Sequence, residues 1–338
     1  MNKIRFEWVD ALKFLGIFAI YIGHLGDAAG RIYPFVFTYH VPLFFFVAGF
    51  FSKNSKSTHF PMFVLEKAKR LLLPYFTFAL LSLFFVSINS NSDLQSIMSH
   101  IADIFYGVRN NPFVGSIWFV NCLFVIIVID RIFKLFIENN YIMLAISFAF
   151  YLFSVSFLGH NPLSNPEWFW NADSAISYWW VMALGRCMFN SLCESPLFKV
   201  SIKGMILFIP LSIITLYQLF TSKSIIADIV NNLSPQIQKT LAFSMFNSAF
   251  TTICIIIFNV YIAKIICSCE SINATGRNTL NICGLESITK LLIPTGIAAL
   301  GLTFGLPNPI AAIIYTIGCL YISNKIGYWL SKNVGTPF

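Results

Sequence analysis

The stretch GHLGDAAGRIYPFVFTYHVPLFFFVAGFF, residues 23–51, decides the fold class of this chain. From His40 onward it is almost wholly apolar and aromatic, and a helix that crosses a bilayer needs about 20 such residues. The pattern predicts an intramembrane hairpin with two histidines, His24 and His40, at its start. An ionisable side chain inside a membrane span is costly, so each histidine is a candidate functional residue.

The whole chain shares the apolar character of this stretch. Of its 338 residues, 57% are hydrophobic and only 11% are charged, and the mean hydropathy is +0.75. A soluble domain carries roughly a quarter charged residues. The composition therefore excludes a soluble domain and predicts an integral membrane protein whose first partner is the lipid bilayer. The net charge is +8, and the basic residues behind it are scattered among the apolar segments. They therefore indicate the topology of the chain in the membrane and do not form a nucleic-acid-binding patch.

About ten apolar segments are long enough to cross a bilayer. We predict an all-α, polytopic bundle of about ten transmembrane helices in a single domain, residues 1–338, because no linker or repeat divides the chain. The predicted spans are residues 8–26, 34–52, 71–88, 114–133, 141–158, 175–193, 204–221, 241–266, 279–304 and 308–330.

The distribution of lysine and arginine sets the predicted orientation, because cytoplasmic segments are enriched in these residues. With the N-terminus in the cytoplasm, 16 of the 22 fall in inside segments and four, Arg31, Arg109, Lys223 and Lys239, in outside segments. Ten spans with both termini in the cytoplasm agree with this bias. Charged residues run directly into the first apolar segment without a small-residue cleavage site, so we expect an uncleaved first span.

The eight cysteines give no sign of a metal site. None forms a CxxC pair, and no histidine–cysteine cluster has the spacing of zinc ligands. Most lie in apolar segments, where cysteine behaves as a small buried residue. We therefore expect no bound metal and no tightly bound cofactor.

Asp10, Lys13 and His24 are the ionisable residues of the first predicted span. At 100° per residue, Lys13 and His24 differ by about 20° in phase and by roughly 16 Å along the axis, so they share one face. The functional hypothesis is a catalytic imidazole with a cation below it. The structural alternative for His24 is a hydrogen bond to a neighbouring carbonyl or to Asp27. The structural alternative for His40 is that it simply begins a span and has no catalytic role. Lys13 alternatively extends to the interface or pairs with Asp10 at i,i+3.

A basic cluster, Lys67, Lys69 and Arg70, precedes the third predicted span. The ordinary interpretation is the excess of positive charge on the cytoplasmic side. The functional interpretation is a phosphate clamp, since arginine binds phosphate through two parallel hydrogen bonds and lysine as a point charge. A nucleotide-bearing donor such as coenzyme A suits such a clamp.

Weaker candidates lie near other span ends. Trp118 begins the fourth span, where an interfacial tryptophan is the usual explanation. Arg277 precedes the ninth span on the inner side, and Glu286 and Lys290 are spaced to form an ion pair within it.

Five stretches, in this order and spacing, carry a resemblance over nearly the whole chain. They are WVDALKFLGIFAIYIGHL (8–25), YHVPLFFFVAGFF (39–51), KAKRLLLPYF (67–76), SIWFVNCLF (116–124) and GRNTLN (276–281). Together they resemble the acyltransferase 3 family of membrane acyltransferases. Within that family, the sequence looks like the fucose 4-O-acetylase-like branch, with the O-acetyltransferases of O-antigen and exopolysaccharide.

The resemblance implies a ten-span acyltransferase that uses an acyl-CoA, usually acetyl-CoA, as co-substrate. The acceptor it implies is a hydroxyl on a cell-envelope glycan. His24 matches the first-span histidine that the family uses in catalysis, and Asp10 matches the acidic residue of the same motif. Arg70 matches the basic residue linked to the donor, and Gly49 matches the glycine of the family's Ser–Gly–Phe.

Three departures from the family pattern bear on the site. Lys13 replaces an arginine, which keeps the charge but loses the bidentate fork. Ala48 replaces the serine before Gly49. The ninth span carries Glu286 where many members carry a histidine, so either His40 or Glu286 is left as the partner of His24.

We therefore predict an O-acetyltransferase of the bacterial inner membrane that moves an acetyl group from acetyl-CoA to an envelope glycan such as O-antigen, capsule or exopolysaccharide, or to a lipid-linked sugar. An imidazole near pKa 6.5 suits proton removal from an attacking hydroxyl, or accepts the acyl group itself. The catalytic candidates are His24, Asp10 and His40, with Glu286 as a possible partner. The donor-binding candidates are Lys13, Lys67, Lys69, Arg70, Trp118 and Arg277. The alternative is a polytopic transporter or flippase of a lipid-linked sugar.

Overall fold

The computed structural model describes residues 5–52, 59–90, 93–110 and 115–333. It is 82% helical, and these ranges contain no strand, which confirms the predicted all-α class. Three residues used for the predicted orientation, Lys3, Lys53 and Lys56, lie outside the described ranges.

The described ranges contain sixteen α-helices joined by turns and short 3₁₀ segments. They are α1 Glu7–Gly23, α2 Ile32–Phe37, α3 His40–Phe50, α4 Phe60–Ser90, α5 Leu94–Tyr106, α6 Trp118–Lys134, α7 Asn140–Phe157, α8 Ala172–Glu194, α9 Ile202–Thr221, α10 Ile225–Leu233, α11 Pro235–Gln238, α12 Leu241–Ile266, α13 Glu270–Arg277, α14 Thr279–Gly284, α15 Glu286–Ala299 and α16 Pro309–Asn333.

Seven helical segments among the described residues are long and apolar enough to cross a membrane. They are Ile32–Phe50, Phe60–Ile88, Gly115–Lys134, Asn140–Phe157, Ile202–Thr221, Leu241–Ile266 and Pro309–Leu330. Of the three other predicted spans, 8–26 corresponds to α1, 175–193 to α8, and 279–304 to α14 and α15 together. The count of about ten is thus roughly consistent with the structure. The inside location of both termini stays a prediction.

The second predicted span is interrupted between α2 and α3. Pro42 has no N–H to donate to the carbonyl of Thr38 four residues earlier, so a continuous helix would leave that carbonyl without its usual partner. The hydroxyl of Thr252 on α12 donates to the Thr38 carbonyl instead, at 3.0 Å. The break places His40 at the first turn of α3.

Helix α4 begins earlier than predicted. The third span was predicted to start at residue 71, with the basic cluster in the preceding loop, whereas α4 begins at Phe60. Pro61 falls in the first turn, where its missing N–H costs no hydrogen bond. Lys67, Lys69 and Arg70 are therefore helical residues with a fixed angular spacing.

The chain forms two compact units built from interleaved segments. Unit 1 is Met1–Val47, Met188–Thr279 and Gly305–Leu320, and unit 2 is Ala48–Cys187, Leu280–Phe304 and Tyr321–Phe338. The single-domain prediction is not tested by this division.

Unit 1 is organised around α1, which packs on α12 and α13, while α12 also packs on α9. At Gly276 the backbone of α13 touches the backbone of α1, because a Cβ there would overlap the carbonyl oxygen of Asp10. Lys264 donates from Nζ to the carbonyls of Leu192 and Phe198, at 2.5 and 2.7 Å. Of these contacts, the one at Gly276 fixes the end of α1 that carries Asp10.

Unit 2 contains α4 packed on α5 and α6. A buried amide network joins Asn121 on α6 to the segment before α8: Asn171 donates from Nδ2 to Asn121 Oδ1 at 3.1 Å and to the Gly107 carbonyl at 2.8 Å. Helix α3 meets α8 at Gly49, where a Cβ would overlap the carbonyl oxygen of Met182. This close approach brings the end of α3 to one wall of a cavity.

Candidate functional site

In unit 1, Asp10 is a buried carboxylate between two cations. Its Oδ2 accepts from Nε of Arg5 at 2.8 Å, and its Oδ1 lies 2.9 Å from Nζ of Lys13. The predicted i,i+3 pair of Asp10 with Lys13 is thus present. The two cations reach solvent, since their side chains are 55% and 23% exposed, so Asp10 is buried while its charge partners are hydrated.

Arg277 lies at the end of α13, on the helix that packs against α1. It forms an exposed ion pair with Glu270. The hydrogen bond from Arg277 holds the pKa of Glu270 below its usual value, and the same bond raises the pKa of Arg277. The charge of Asp10 adds to the rise, which places Arg277 in the electrostatic field of the Asp10 cluster.

His24 and His40 both lie near one phenyl ring in unit 1, that of Phe37. The ring centroid of Phe37 is 6.4 Å from that of His24 and 4.8 Å from that of His40, so the two imidazoles lie within about 11 Å of each other. His24 caps the C-terminus of α1 and is exposed. His40 is buried. Both histidines therefore lie near Phe37, and His24 is the exposed one of the two.

The tautomer of neutral His40 is set by its backbone contact. Nδ1 lies 2.7 Å from the carbonyl oxygen of Val36, and since a carbonyl only accepts, Nδ1 must donate. A neutral ring then carries its lone pair on Nε2. This is the arrangement by which a second contact orients a histidine that acts as a base or nucleophile.

Unit 2 contains a cavity of about 440 Å³. It lies between the end of α3, the start of α4 and the last turns of α6, with Met182 of α8 in its wall. The lining residues are Ala48, Phe51, Ser52, Phe63, Glu66, Lys67, Arg70, Leu71, Leu123, Ile127, Asp130, Arg131, Lys134 and Met182. Four of them are cationic and two are anionic, which gives the lining a net formal charge of +2.

The predicted basic cluster divides at this cavity. Lys67 and Arg70 are three residues apart on α4 and both line it, whereas Lys69 is exposed and does not. Lys67 Nζ lies 5.6 Å from the ring centroid of Phe63, and the Arg131 guanidinium lies 5.2 Å from the same centroid. The ring of Phe63 thus lies next to one cation from α4 and one from α6.

A second set of charges centres on Asp130, whose side chain is 4% exposed. Its Oδ1 accepts from Nη2 of Arg186 at 2.5 Å and from Nε1 of Trp179 at 3.0 Å. Its Oδ2 lies 3.3 Å from Nζ of Lys134. Ser52 Oγ donates to Oδ2 at 3.4 Å and accepts from Lys134 at 2.9 Å.

Two other predicted residues lie in unit 2 but not in the cavity lining. Trp118 begins α6, roughly 18 Å along the helix axis from Asp130; the Arg109 guanidinium lies 4.9 Å from its ring centroid. Glu286 is buried in α15, with Nζ of Lys290 at 2.6 Å, which is the predicted i,i+4 pair. Donor binding by Trp118 and partnership of Glu286 with His24 both stay predictions.

Asp130, Arg131, Lys134 and Arg186 were not predicted as site residues, and three of them entered the prediction only through the orientation. One feature of the sequence could have indicated the site: Arg186 lies inside the predicted span 175–193. An ionisable residue within a membrane span usually pairs with another polar group. Asp130 and Lys134 were also spaced as an i,i+4 ion pair at a span end. No pattern in the sequence connected α6 with α8.

A protein-family model described as an acyltransferase domain, that of the acyltransferase 3 family, matches residues 6–324. The chain belongs to this family. No curated protein and no solved structure matches it. The finding supports a multi-pass membrane acyltransferase and covers all the candidate residues of both units.

In this acyltransferase, the family positions fall into two groups by unit. Asp10, His24 and His40 belong to unit 1, while Arg70 and Gly49 belong to unit 2. Ala48, which stands where the resemblance expects serine, lines the cavity. The cavity wall therefore presents a methyl group at that point instead of a hydroxyl.

Proposed function

We propose that this acyltransferase is an O-acetyltransferase of the bacterial cytoplasmic membrane that transfers the acetyl group of acetyl-CoA to a hydroxyl of a cell-envelope glycan. The observation that carries the proposal is the cationic cavity of unit 2, in a chain that belongs to an acyltransferase family. A nucleotide donor is polyanionic, and a partly buried site with Lys67 and Arg70 favours such a ligand.

The donor's phosphate groups are assigned to this cavity. Arg70 provides a planar fork for two phosphate oxygens, and Lys67 provides a point charge. The volume of about 440 Å³ is in the range of small-molecule sites and suits part of a coenzyme A molecule, with the rest extending outside. In the predicted orientation, α3 ends and α4 begins on the cytoplasmic side, where coenzyme A is present.

The proton-transfer groups are assigned to unit 1. The acceptor hydroxyl attacks the thioester carbon, an imidazole takes the hydroxyl proton, and the thiolate of coenzyme A leaves and is protonated. His24 is assigned this role because it is exposed, while His40 and its fixed Nδ1–H are assigned to support it. Alternatively, an imidazole first accepts the acetyl group and then passes it to the hydroxyl. Both routes give the same products.

The acceptor class is supported by the resemblance to glycan O-acetylases alone.

Transfer of radiolabelled acetyl from acetyl-CoA tests the proposal. Membranes with wild-type protein or His24→Ala, at matched expression, are given acetyl-CoA and native envelope glycan. We expect label in the glycan with wild type alone. Equal label in both membranes would remove His24 from the chemistry. No label in either would contradict the acetyl-CoA donor and favour another acyl donor or a lipid-linked sugar transporter.

A further inference from the structure

Asp130 lines the cationic cavity, and its carboxylate has four donor partners. All four described partners donate to its oxygens: Arg186, Lys134, Trp179 and Ser52. Guanidinium, ammonium, indole N–H and hydroxyl are also the donors that bind a phosphate oxygen in proteins. The carboxylate thus occupies a preformed oxyanion site.

Arg186 is not satisfied by this contact. Its side chain is 6% exposed, and its Nε and Nη1 are buried without an acceptor among the residues that the structure describes. A buried donor without an acceptor destabilises the folded state. Arg186 lies one turn after the cavity residue Met182 on the same face of α8, and its partner Asp130 is itself in the lining.

This oxyanion site differs in position from the Phe63 cluster, which consists of Lys67, Arg131 and Phe63. Asp130 and Arg131 are consecutive on α6, so their side chains leave the helix about 100° apart. The Asp130 carboxylate offsets one of the two charges of Lys134 and Arg186. A ligand with more negative charge than a carboxylate is therefore able to take its place.

We propose that Asp130 is a placeholder anion, and that a phosphate group of a nucleotide replaces its carboxylate on Arg186 and Lys134 when the nucleotide enters the cavity. Where the nucleotide is the acetyl donor, the inference rests on the proposed function. The replacement gives Arg186 an acceptor with more oxygens than a carboxylate. It makes the cavity a site for a ligand with two phosphate groups, one at the Asp130 cluster and one at Lys67 and Arg70.

The test is binding of adenosine 3′,5′-bisphosphate to the full chain in nanodiscs of zwitterionic lipid, by calorimetry and by thermal midpoint. Asp130→Asn keeps the shape and removes the competing charge, so we expect affinity to rise roughly tenfold, the scale of one close charge pair. Glu66→Gln removes the other carboxylate of the lining and is the matched control. We expect it to change affinity much less.

Equal gains for Asp130→Asn and Glu66→Gln would overturn the proposal, because net charge alone would then explain them. A fall in affinity for Asp130→Asn would also overturn it. If Asp130→Asn is unstable, the bisphosphate should still raise the thermal midpoint of this variant by more than it raises that of wild type. Lys134→Gln is the second variant and should weaken binding, while Lys69→Gln should not.

Adenosine 5′-monophosphate and phosphatidylglycerol complete the test. A ligand with one phosphate should gain less affinity from Asp130→Asn than the bisphosphate does. Equal gains would contradict the two-phosphate site. If phosphatidylglycerol in the nanodisc abolishes the gain, a lipid headgroup is the anion that occupies the site, and the nucleotide assignment is overturned. These experiments measure binding and not acetyl transfer. Their result can therefore be interpreted even if the acetyltransferase proposal fails.

Discussion

Asp10 and Asp130 have the same local chemistry in two different surroundings. Each is a buried aspartate with a lysine three or four residues later and an arginine from elsewhere in its unit. The cations of Asp10 are 55% and 23% exposed, whereas those of Asp130 are 6% and 7% exposed. Water screens the first cluster and not the second. The spacing of an ion pair in the sequence therefore does not indicate its energetic role, which depends on how deeply its cations are buried.

The difference separates two kinds of candidate function. The cluster in unit 1 stabilises the start of α1, the helix that ends at His24. The cluster in unit 2 lines a cavity and consists of groups that bind oxyanions. We therefore expect variants of unit 1 to change the rate of transfer and variants of the unit 2 cavity to change donor binding.

The largest effect is expected from His24→Ala, which removes the exposed imidazole of unit 1. General acid–base catalysis contributes roughly 10²–10⁴-fold, so kcat should fall by that factor. Initial rates of acetyl transfer in membranes measure it. His59→Ala, which removes an exposed histidine from unit 2, is the control and should leave kcat unchanged. Similar losses in both variants would break the assignment of chemistry to unit 1.

The next effect is on stability and compares the two aspartates directly. Asp130→Ala leaves Arg186 and Lys134 buried without their carboxylate, which should lower the free energy of unfolding by ~3–5 kcal/mol. Asp10→Ala leaves cations that water can hydrate, so the loss should be about 1–2 kcal/mol. Thermal midpoints in one detergent measure the order. The reverse order would show that exposure of the cations does not decide their energetic role.

Both units also depend on a glycine where two helix backbones touch. Gly49→Ala and Gly276→Ala each place a methyl group against a carbonyl oxygen, which should cost ~1–3 kcal/mol of stability. Gly318→Ala on α16 is the control, because a Cβ there meets no atom within 4 Å. That variant should be neutral or more stable by about 0.5–1 kcal/mol. A neutral Gly49→Ala would mean that α3 does not need this close approach to α8.

The smallest effect is a pH dependence confined to the segment before α8. His160 Nε2 bonds Asp173 at 2.8 Å, and this bond, with the charges of Glu167 and Asp173, raises the pKa of His160. Its stabilisation is complete below the unfolded pKa of about 6.5 and is lost as pH rises through the higher folded value.

Hydrogen exchange of residues 158–171, corrected for intrinsic rates, should therefore be faster at high pH than at low pH. The pH dependence should vanish in His160→Gln. Exchange that slows with rising pH, or that is unchanged by the substitution, would contradict this sign.

The sequence predicted the class of the fold well because hydropathy and length alone define a membrane helix. The start of α4 was missed, since charged Lys67 to Arg70 looked like the end of a loop, although their apolar neighbours continue the helix. His24 and His40 were singled out from residue type and position, and their functional pairing stays a prediction. The Asp130 cluster was not predicted, because its contacts join Ser52, just after α3, with α6 and α8. A single sequence carries no signal for contacts between residues 56 positions apart on different helices, as Asp130 and Arg186 are.

The central claim, that unit 1 supplies the chemistry and unit 2 anchors the donor, is tested most directly by one set of kinetics. Acetyl transfer is measured against acetyl-CoA concentration for His24→Asn, Arg70→Gln and the control Lys69→Gln. We expect a large fall in kcat with little change in KM for His24→Asn, and a roughly tenfold rise in KM with kcat retained for Arg70→Gln. Lys69→Gln should match wild type. A kcat loss for Arg70→Gln at unchanged KM, or a KM effect as large for Lys69→Gln, would contradict it.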